Sequence, residues 1–185
     1  GVNADGDYGG AGNDYIQFNI EDNDTDVNVI TGTSKVDNIV GTDGIDEISG
    51  GNKNDIIDGG LGNDFINGGS GDDVIFGGGG NDTLTGGSDA DTFSIKDSDT
   101  ITDFSASDND VLDLSDLIDV VDGKTINDYL SVEDDAGDVK VNVLDGSGNA
   151  TGDSVVIETL TYDTATDTVT DLLAQITVKV DDIDY

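Results

Sequence analysis

Seven aspartates in the first half of the chain stand at fixed intervals of nine residues, a spacing that a single catalytic centre does not need. They are Asp37, Asp46, Asp55, Asp64, Asp73, Asp82 and Asp91. Carboxylates are hard oxygen ligands, so the chemistry open to a regular series of them is the binding of hard metal cations. We therefore expect the fold to bring these side chains into register.

The residues around each aspartate repeat as well, which indicates the elements that position it. Residues 59–85 read GGLGNDFIN, GGSGDDVIF and GGGGNDTLT. Glycine tolerates positive φ, so the first part of each nonapeptide can turn tightly and direct its carbonyl groups inward. The apolar residue two positions after the acid can then face a thin core from a short strand. A fixed period sustained over about seven windows predicts a solenoid.

Stacked turns would place like charges close together. Neighbouring strands lie about 4.8 Å apart, and two carboxylates at about 5 Å repel by roughly 3 kcal/mol at an effective dielectric near 20. One buried isoleucine per repeat contributes only about 1.5–3 kcal/mol, so the stack needs a counter-charge. Calcium accepts six to eight carboxylate and carbonyl oxygens in a flexible shell, whereas magnesium requires tighter geometry and is the weaker candidate.

The nonapeptide resembles GGxGxDxUx, the calcium-binding repeat of RTX proteins, over residues 32–94. The resemblance implies an all-β fold, a parallel β-roll with alternate repeats on opposite edges, that binds several calcium ions. Asp37, Asp55, Asp73 and Asp91 would line one edge, and Asp46, Asp64 and Asp82 the other. The implied carbonyl ligands belong to Gly50, Gly51, Gly59, Gly60, Gly62, Gly68, Gly69, Gly71, Gly77, Gly78, Gly80, Gly86 and Gly87.

Two lysines depart from this pattern. Lys35 and Lys53 replace the third glycine of their repeats. A non-glycine residue in a left-handed turn costs on the order of 1–2 kcal/mol, and a cation opposes metal binding. We therefore expect the early sites of that edge to be the weakest.

The chain divides into three predicted segments. Residues 1–31 are interpreted as the end of a preceding module and an acidic joint, with a strand near Ile16 and further candidate ligands at Asp14, Asp22, Asp24 and Asp26. Residues 32–94 form the predicted β-roll. Residues 95–185 resemble the β-rich flank that caps RTX rolls in proteins exported by type I secretion, with the secretion signal in this region, and Asp99 or Asp103 could complete the last site. Strands are predicted at 139–145, 153–160 and 176–180, and a short helix at 170–176.

Composition excludes several classes of function. The 42 acidic and 6 basic residues give a net charge of −36, which disfavours nucleic acid and anionic membrane surfaces. Without Cys or His, the usual ligands of zinc, copper and haem are missing. No hydrolase signature such as GxSxG is present, so we expect no enzyme activity. We predict neither an N-terminal signal peptide nor a membrane-spanning segment in this chain, and we interpret it as a monomeric fragment of a larger protein.

Three hypotheses for function remain. The first is the calcium-dependent folding, capping and export region of a large bacterial adhesin, secreted or on the cell surface, with the type I secretion machinery as its partner. The second is the non-catalytic tail of an exported RTX enzyme, a protease or lipase. The third, direct binding of a ligand or of ice by the roll, is disfavoured because the ninth repeat positions carry no regular threonine array.

Overall fold

The computed structural model describes residues 27–121, 123–158, 160 and 177–182, together with the strand at residues 14–17. Two sheets dominate this part of the chain. The first has seven strands in the order β1 (Asp14–Gln17), β3 (Asp37–Val40), β5 (Ile56–Asp58), β7 (Val74–Phe76), β9 (Thr92–Ser94), β11 (Val111–Asp113) and β16 (Thr177–Lys179). All the strand pairs of this sheet are parallel.

The second sheet has eight strands. Its parallel part contains β2 (Asn28–Thr31), β4 (Asp46–Asn52), β6 (Phe65–Ser70), β8 (Thr83–Ser88) and β10 (Ser98–Ile101), and its last strands are β15 (Ala150–Ile157), β14 (Asp138–Leu144) and β13 (Leu130–Asp135). A small two-stranded sheet joins β12 (Asp119–Val120) to β17 (Asp181–Asp182), and a 3₁₀ helix spans Ile126–Asp128. None of the helices in the described residues is long and apolar enough to cross a membrane.

The nine-residue period determines the register of the strands. Successive nonapeptides alternate between the sheets, so each strand pairs with the strand two repeats away. Ile39, Ile57, Ile75 and Phe93 therefore stack in one sheet, and Ile30, Ile48, Ile66 and Leu84 stack in the other. All eight are at most 2% exposed. The predicted all-β parallel β-roll is confirmed.

The sheets begin before residue 32, the predicted start of the β-roll. β2 pairs with β4 in register, with Asn28 beside Asp46, and β1 pairs with β3, with Asp14 beside Asp37. The isolated repeat copy at residues 9–17 is out of phase with the other repeats in sequence, yet its strand lies on the same sheet.

The sheets also continue past residue 94. β10 and β11 add further rungs, and β15 pairs in parallel with β10. β14 and β13 then follow β15 as antiparallel strands, with their valines in the same core. The strands predicted at 139–145 and 153–160 are thus found at Asp138–Leu144 and Ala150–Ile157. The helix predicted at 170–176 lies outside the described residues.

Candidate metal centre

The repeat aspartates form two buried rows, one on each edge of the roll. Within a row, the backbone N–H of each aspartate donates to Oδ1 of the aspartate one rung further on. The N–O distances are 2.8 Å from Asp37 to Asp55 and 2.7 Å from Asp55 to Asp73, and 2.9 Å from Asp46 to Asp64. From the second aspartate of each row onward, one carboxylate oxygen therefore holds successive rungs together.

Each row continues for one residue beyond the nonapeptides. Row one comprises Asp37, Asp55, Asp73, Asp91 and Asp110, and row two comprises Asp46, Asp64, Asp82 and Asp99. All nine side chains are at most 3% exposed. The last step is 19 residues in row one and 17 in row two instead of 18. Sequence reasoning missed Asp110 for this reason, although the aspartate–x–apolar pattern at Asp110 and Leu112 was a signal that could have found it.

Five of the nine carboxylates have an oxygen without a partner. The Oδ2 atoms of Asp55, Asp64, Asp73, Asp82 and Asp91 are buried and accept no hydrogen bond. A backbone carbonyl lies beside each of the first three. At Gly50, for example, an added Cβ atom would lie 2.6 Å from both Asp55 Oδ2 and the Gly68 carbonyl oxygen. Buried acceptors are normally satisfied, so these oxygens are candidate ligands for a cation.

Burial makes these carboxylates costly to ionise in the absence of a cation. Desolvation is the main reason why the pKa of Asp64 and of Asp91 is raised from 3.8 to about 7, and why that of Asp55 and of Asp73 is raised to about 6. Neighbouring carboxylates of the same row raise these pKa values further. Hydrogen bonds from the backbone oppose the shift but do not cancel it.

The donor set fits calcium. Among the described residues, no group of three or more acidic side chains is close enough to hold a metal ion, so an ion would also need backbone oxygens. The carbonyl groups of Gly68, Gly77 and Gly86 lie beside the Oδ2 atoms of Asp55, Asp64 and Asp73. Calcium accepts such mixed carboxylate and carbonyl shells, and it would supply the charge that the rows lack.

The glycines predicted as carbonyl ligands shape the turns in two ways. The second and third glycines of each motif have positive φ: Gly51, Gly60, Gly62, Gly69, Gly71, Gly78, Gly80 and Gly87. The first glycine of each motif, which includes Gly50, Gly59, Gly68, Gly77 and Gly86, leaves no room for a Cβ atom because the carboxylate of its own repeat packs against it. Glycine is therefore required at both kinds of position, for conformation at one and for close approach at the other.

The two lysines behave differently from each other. Lys53 has φ of 79°, as expected for a residue in the place of a left-handed glycine. Lys35 is not left-handed, so the predicted strain at this residue is wrong. Its turn has Thr33 at the second position, where a β-branched residue avoids positive φ, and the whole turn adopts another conformation. Asp89, with φ of 81°, is a second non-glycine residue in the left-handed position.

Asp103, a further candidate ligand, belongs to neither hydrogen-bonded row. Asp103 accepts hydrogen bonds from the N–H groups of Gly86 and Gly87, at 2.9 and 2.8 Å, and so covers the last glycine turn. The backbone of Asp14 lies beside that of Asp37, at the start of row one. Asp22, Asp24 and Asp26 lie outside the described residues.

The fold and the two rows together define a parallel β-roll with repeated cation sites. The sequence profile of the RTX calcium-binding nonapeptide repeat matches residues 8–19, 31–66 and 59–93, in four copies. The repeats of this chain are therefore RTX calcium-binding repeats, as the resemblance implied.

Several solved structures are similar to this chain. The solution structure of the AlgE6R3 subunit from the Azotobacter vinelandii mannuronan C5-epimerase is 28% identical in sequence, with a TM-score of 0.43 over 77% of this chain and 82% of that one. No curated protein matches the chain.

The raised pKa values predict that acid favours the roll when calcium is absent. A carboxyl group whose pKa is higher in the folded state binds its proton more tightly there, so folding is opposed above the folded pKa and the opposition disappears below the unfolded pKa. In chelator, circular dichroism should therefore show more β-structure as the pH falls from about 7 to about 4. Dilute protein is needed near the isoelectric point of about 4.1.

In saturating calcium the dependence should have the opposite sign, because protons then compete with the ion for the same oxygens. A calcium-free chain that loses β-structure on acidification would contradict the assigned burial of these carboxylates.

Proposed function

We propose that this chain is the calcium-dependent folding, capping and export region of a large secreted or cell-surface adhesin, exported by a type I secretion system. The observation that carries the calcium part is the set of five buried Oδ2 atoms without a partner. Each lies in a row of carboxylates that calcium would neutralise. Binding of the ion and folding of the roll would thus be one event.

The role proposed for the row carboxylates is structural, and we propose no enzyme activity for this chain. Within each row, from the second aspartate onward, Oδ1 accepts a backbone N–H from the preceding rung. A general acid or base has to reach a substrate, whereas these groups are at most 3% exposed. Their hydrogen bonds and burial support a role in which bound metal holds neighbouring rungs together.

Export follows from the difference in calcium concentration across the cell envelope. Extracellular modules bind calcium with dissociation constants of about 10⁻⁴–10⁻³ M, so a chain with such sites stays unfolded in the cytosol and folds outside. The resemblance of residues 95–185 to the C-terminal region of type I substrates supports this order of events. The acidic, Cys-free composition and the DNDTD joint at 22–26 support an adhesin as the parent protein.

A reporter fused before Gly1 tests the export function. When the fusion is co-expressed with a type I exporter, we expect the reporter in the medium. The same fusion without residues 95–185 should remain in the cell. Equal export of both fusions would overturn the proposed role of the C-terminal region. Tandem adhesin modules upstream of Gly1 would support the adhesin assignment, while an HExxH or GxSxG domain there would overturn it.

A further inference from the structure

The carboxylates at the ends of the two rows differ from those between them. In the interior, Oδ2 has no partner in all five cases. At the ends, both oxygens of Asp37, Asp46, Asp99 and Asp110 accept hydrogen bonds from the protein. The amino-acid sequence does not suggest this division, because Asp37 and Asp46 occupy the same repeat position as the interior acids.

Threonine closes the start of each row. The Thr42 N–H donates to Asp46 Oδ2 at 2.6 Å, and the Thr42 hydroxyl lies 3.0 Å from the same oxygen. Thr33 makes the equivalent contacts with Asp37, with an N–O distance of 2.6 Å. In both turns, the oxygen that a cation would need is already satisfied.

A change in turn conformation makes this closure possible. In the interior turn that begins at Gly59, the second residue, Gly60, has φ of 101°, and its N–H donates to Asp58 instead, at 3.1 Å. Asp64 Oδ2 is then left without a donor. Thr42 is not left-handed, and its N–H points to the carboxylate of its own repeat.

The strand before row two completes the closure. Asn28 stands beside Asp46 in the sheet, in the place where the row would otherwise have another acid. Its Nδ2 donates to Thr42 Oγ1 at 3.2 Å, and the Gly44 N–H donates to the same oxygen at 3.1 Å. Thr42 Oγ1 thus accepts hydrogen bonds from two neutral donors while it contacts Asp46. Because Asn28 replaces an acid, no second carboxylate stands beside Asp46 at the start of the row.

Backbone N–H groups close the opposite ends. Asp99 Oδ2 accepts from the Lys96 N–H at 2.9 Å, and Asp110 Oδ2 accepts from the Ser105 N–H at 2.8 Å. Neither turn has the glycine doublet of the repeats. Two unrelated local sequences therefore produce the same result as the threonines.

From these contacts we infer that calcium binds only between the closed ends, with one ion for each interior Oδ2. Row one would hold three ions, through Asp55, Asp73 and Asp91, and row two would hold two, through Asp64 and Asp82. The four end carboxylates are hydrogen-bonded stops and not ligands, in contrast to the prediction from the motif for Asp37 and Asp46. This inference rests on the proposed calcium function and concerns the described part of the chain.

Substitution of Thr42 by glycine provides a gain-of-site test. Thr42→Gly converts residues 41–46 to GGDGID, a complete motif, removes the hydroxyl and allows positive φ, so Asp46 Oδ2 loses its donors. Isothermal titration calorimetry of the full chain with calcium should show one ion more per chain than the unsubstituted protein. Thr42→Ser, which keeps both the hydroxyl and the N–H group, should leave the number of ions unchanged.

The converse test removes single carboxylates. We expect Asp64→Asn to bind at least one ion fewer, and Asp46→Asn to bind as many ions as the unsubstituted chain. Loss of an ion in Asp46→Asn, or an unchanged count in a folded Thr42→Gly variant, would overturn the inference. If Thr42→Gly does not fold in calcium, the numbers of ions bound by Asp46→Asn and by Asp64→Asn test the inference instead. An unsubstituted chain that binds no calcium would instead overturn the proposed function.

Discussion

In chelator we expect the chain to lose most of its β-structure, and in millimolar calcium we expect it to regain that structure in a cooperative transition. The reason is the charge of the rows. The net charge of −36 and five buried carboxylate oxygens without donors oppose folding, while the stacked isoleucines favour it. Calcium removes the opposing contribution at every rung at once, which is why the transition should be cooperative.

Circular dichroism during a calcium titration measures this transition. Equal spectra in chelator and in millimolar calcium would contradict it. Added salt has two opposing effects on the calcium concentration needed for folding. Screening of the repulsion among exposed acids lowers this concentration, whereas screening of the attraction between calcium and the carboxylates raises it. Magnesium at the same concentration should be much less effective, because it requires near-ideal octahedral geometry.

A matched pair of variants links the transition to the rows. Asp73 is buried in row one, and its Oδ2 has no partner, so Asp73→Ala should shift the midpoint to higher calcium and reduce the number of ions. Asp58 is exposed on the outer face of the roll, so Asp58→Ala should change little. If both variants weakened calcium binding equally, the register assigned to the repeat would be wrong.

The repeat period allowed the interior of the roll to be predicted, because one local rule determines the turn, the strand and the buried apolar residue in every nonapeptide. The pairing of each strand with the strand two repeats away follows from that rule. Ile57 and Ile75, for example, lie one above the other, as the alternation of repeats implies.

The ends of the roll were not predictable in the same way. Asp110 joins row one through a loop that changes the spacing, and Asn28 stands at an acid position of the sheet, where its amide contacts Thr42. The conformation at Lys35 depends on its neighbour Thr33 rather than on the lysine itself. The first two cases involve contacts between different rungs, which the nine-residue spacing does not report, and the third depends on the conformational preference of another residue in the same turn.

Removal of the C-terminal region should abolish calcium-induced folding of the repeats. Deletion of residues 95–185 leaves the N–H groups of Asp82 and Asp91 without their acceptors on Asp99 and Asp110. It also exposes Leu84 and Phe93, which are fully buried beneath the rungs of β10 and β11. An open end of this kind costs both hydrogen bonds and apolar burial, and a solenoid without a cap is poorly stable. Residues 32–94 alone should therefore show no transition in the millimolar calcium that folds the full chain.

Deletion from the other end is the matched control, and it should have a much smaller effect. A chain that begins at residue 27 keeps β2, and with it the contacts by which Asn28 and Thr42 close row two. Row one still begins at Asp37, which Thr33 satisfies without a metal ion. We expect its calcium midpoint to stay within about threefold of that of the full chain, which corresponds to roughly 0.7 kcal/mol for each ion bound. Full folding of residues 32–94 in millimolar calcium would show that the repeats need no cap, and that residues 95–185 act only in export.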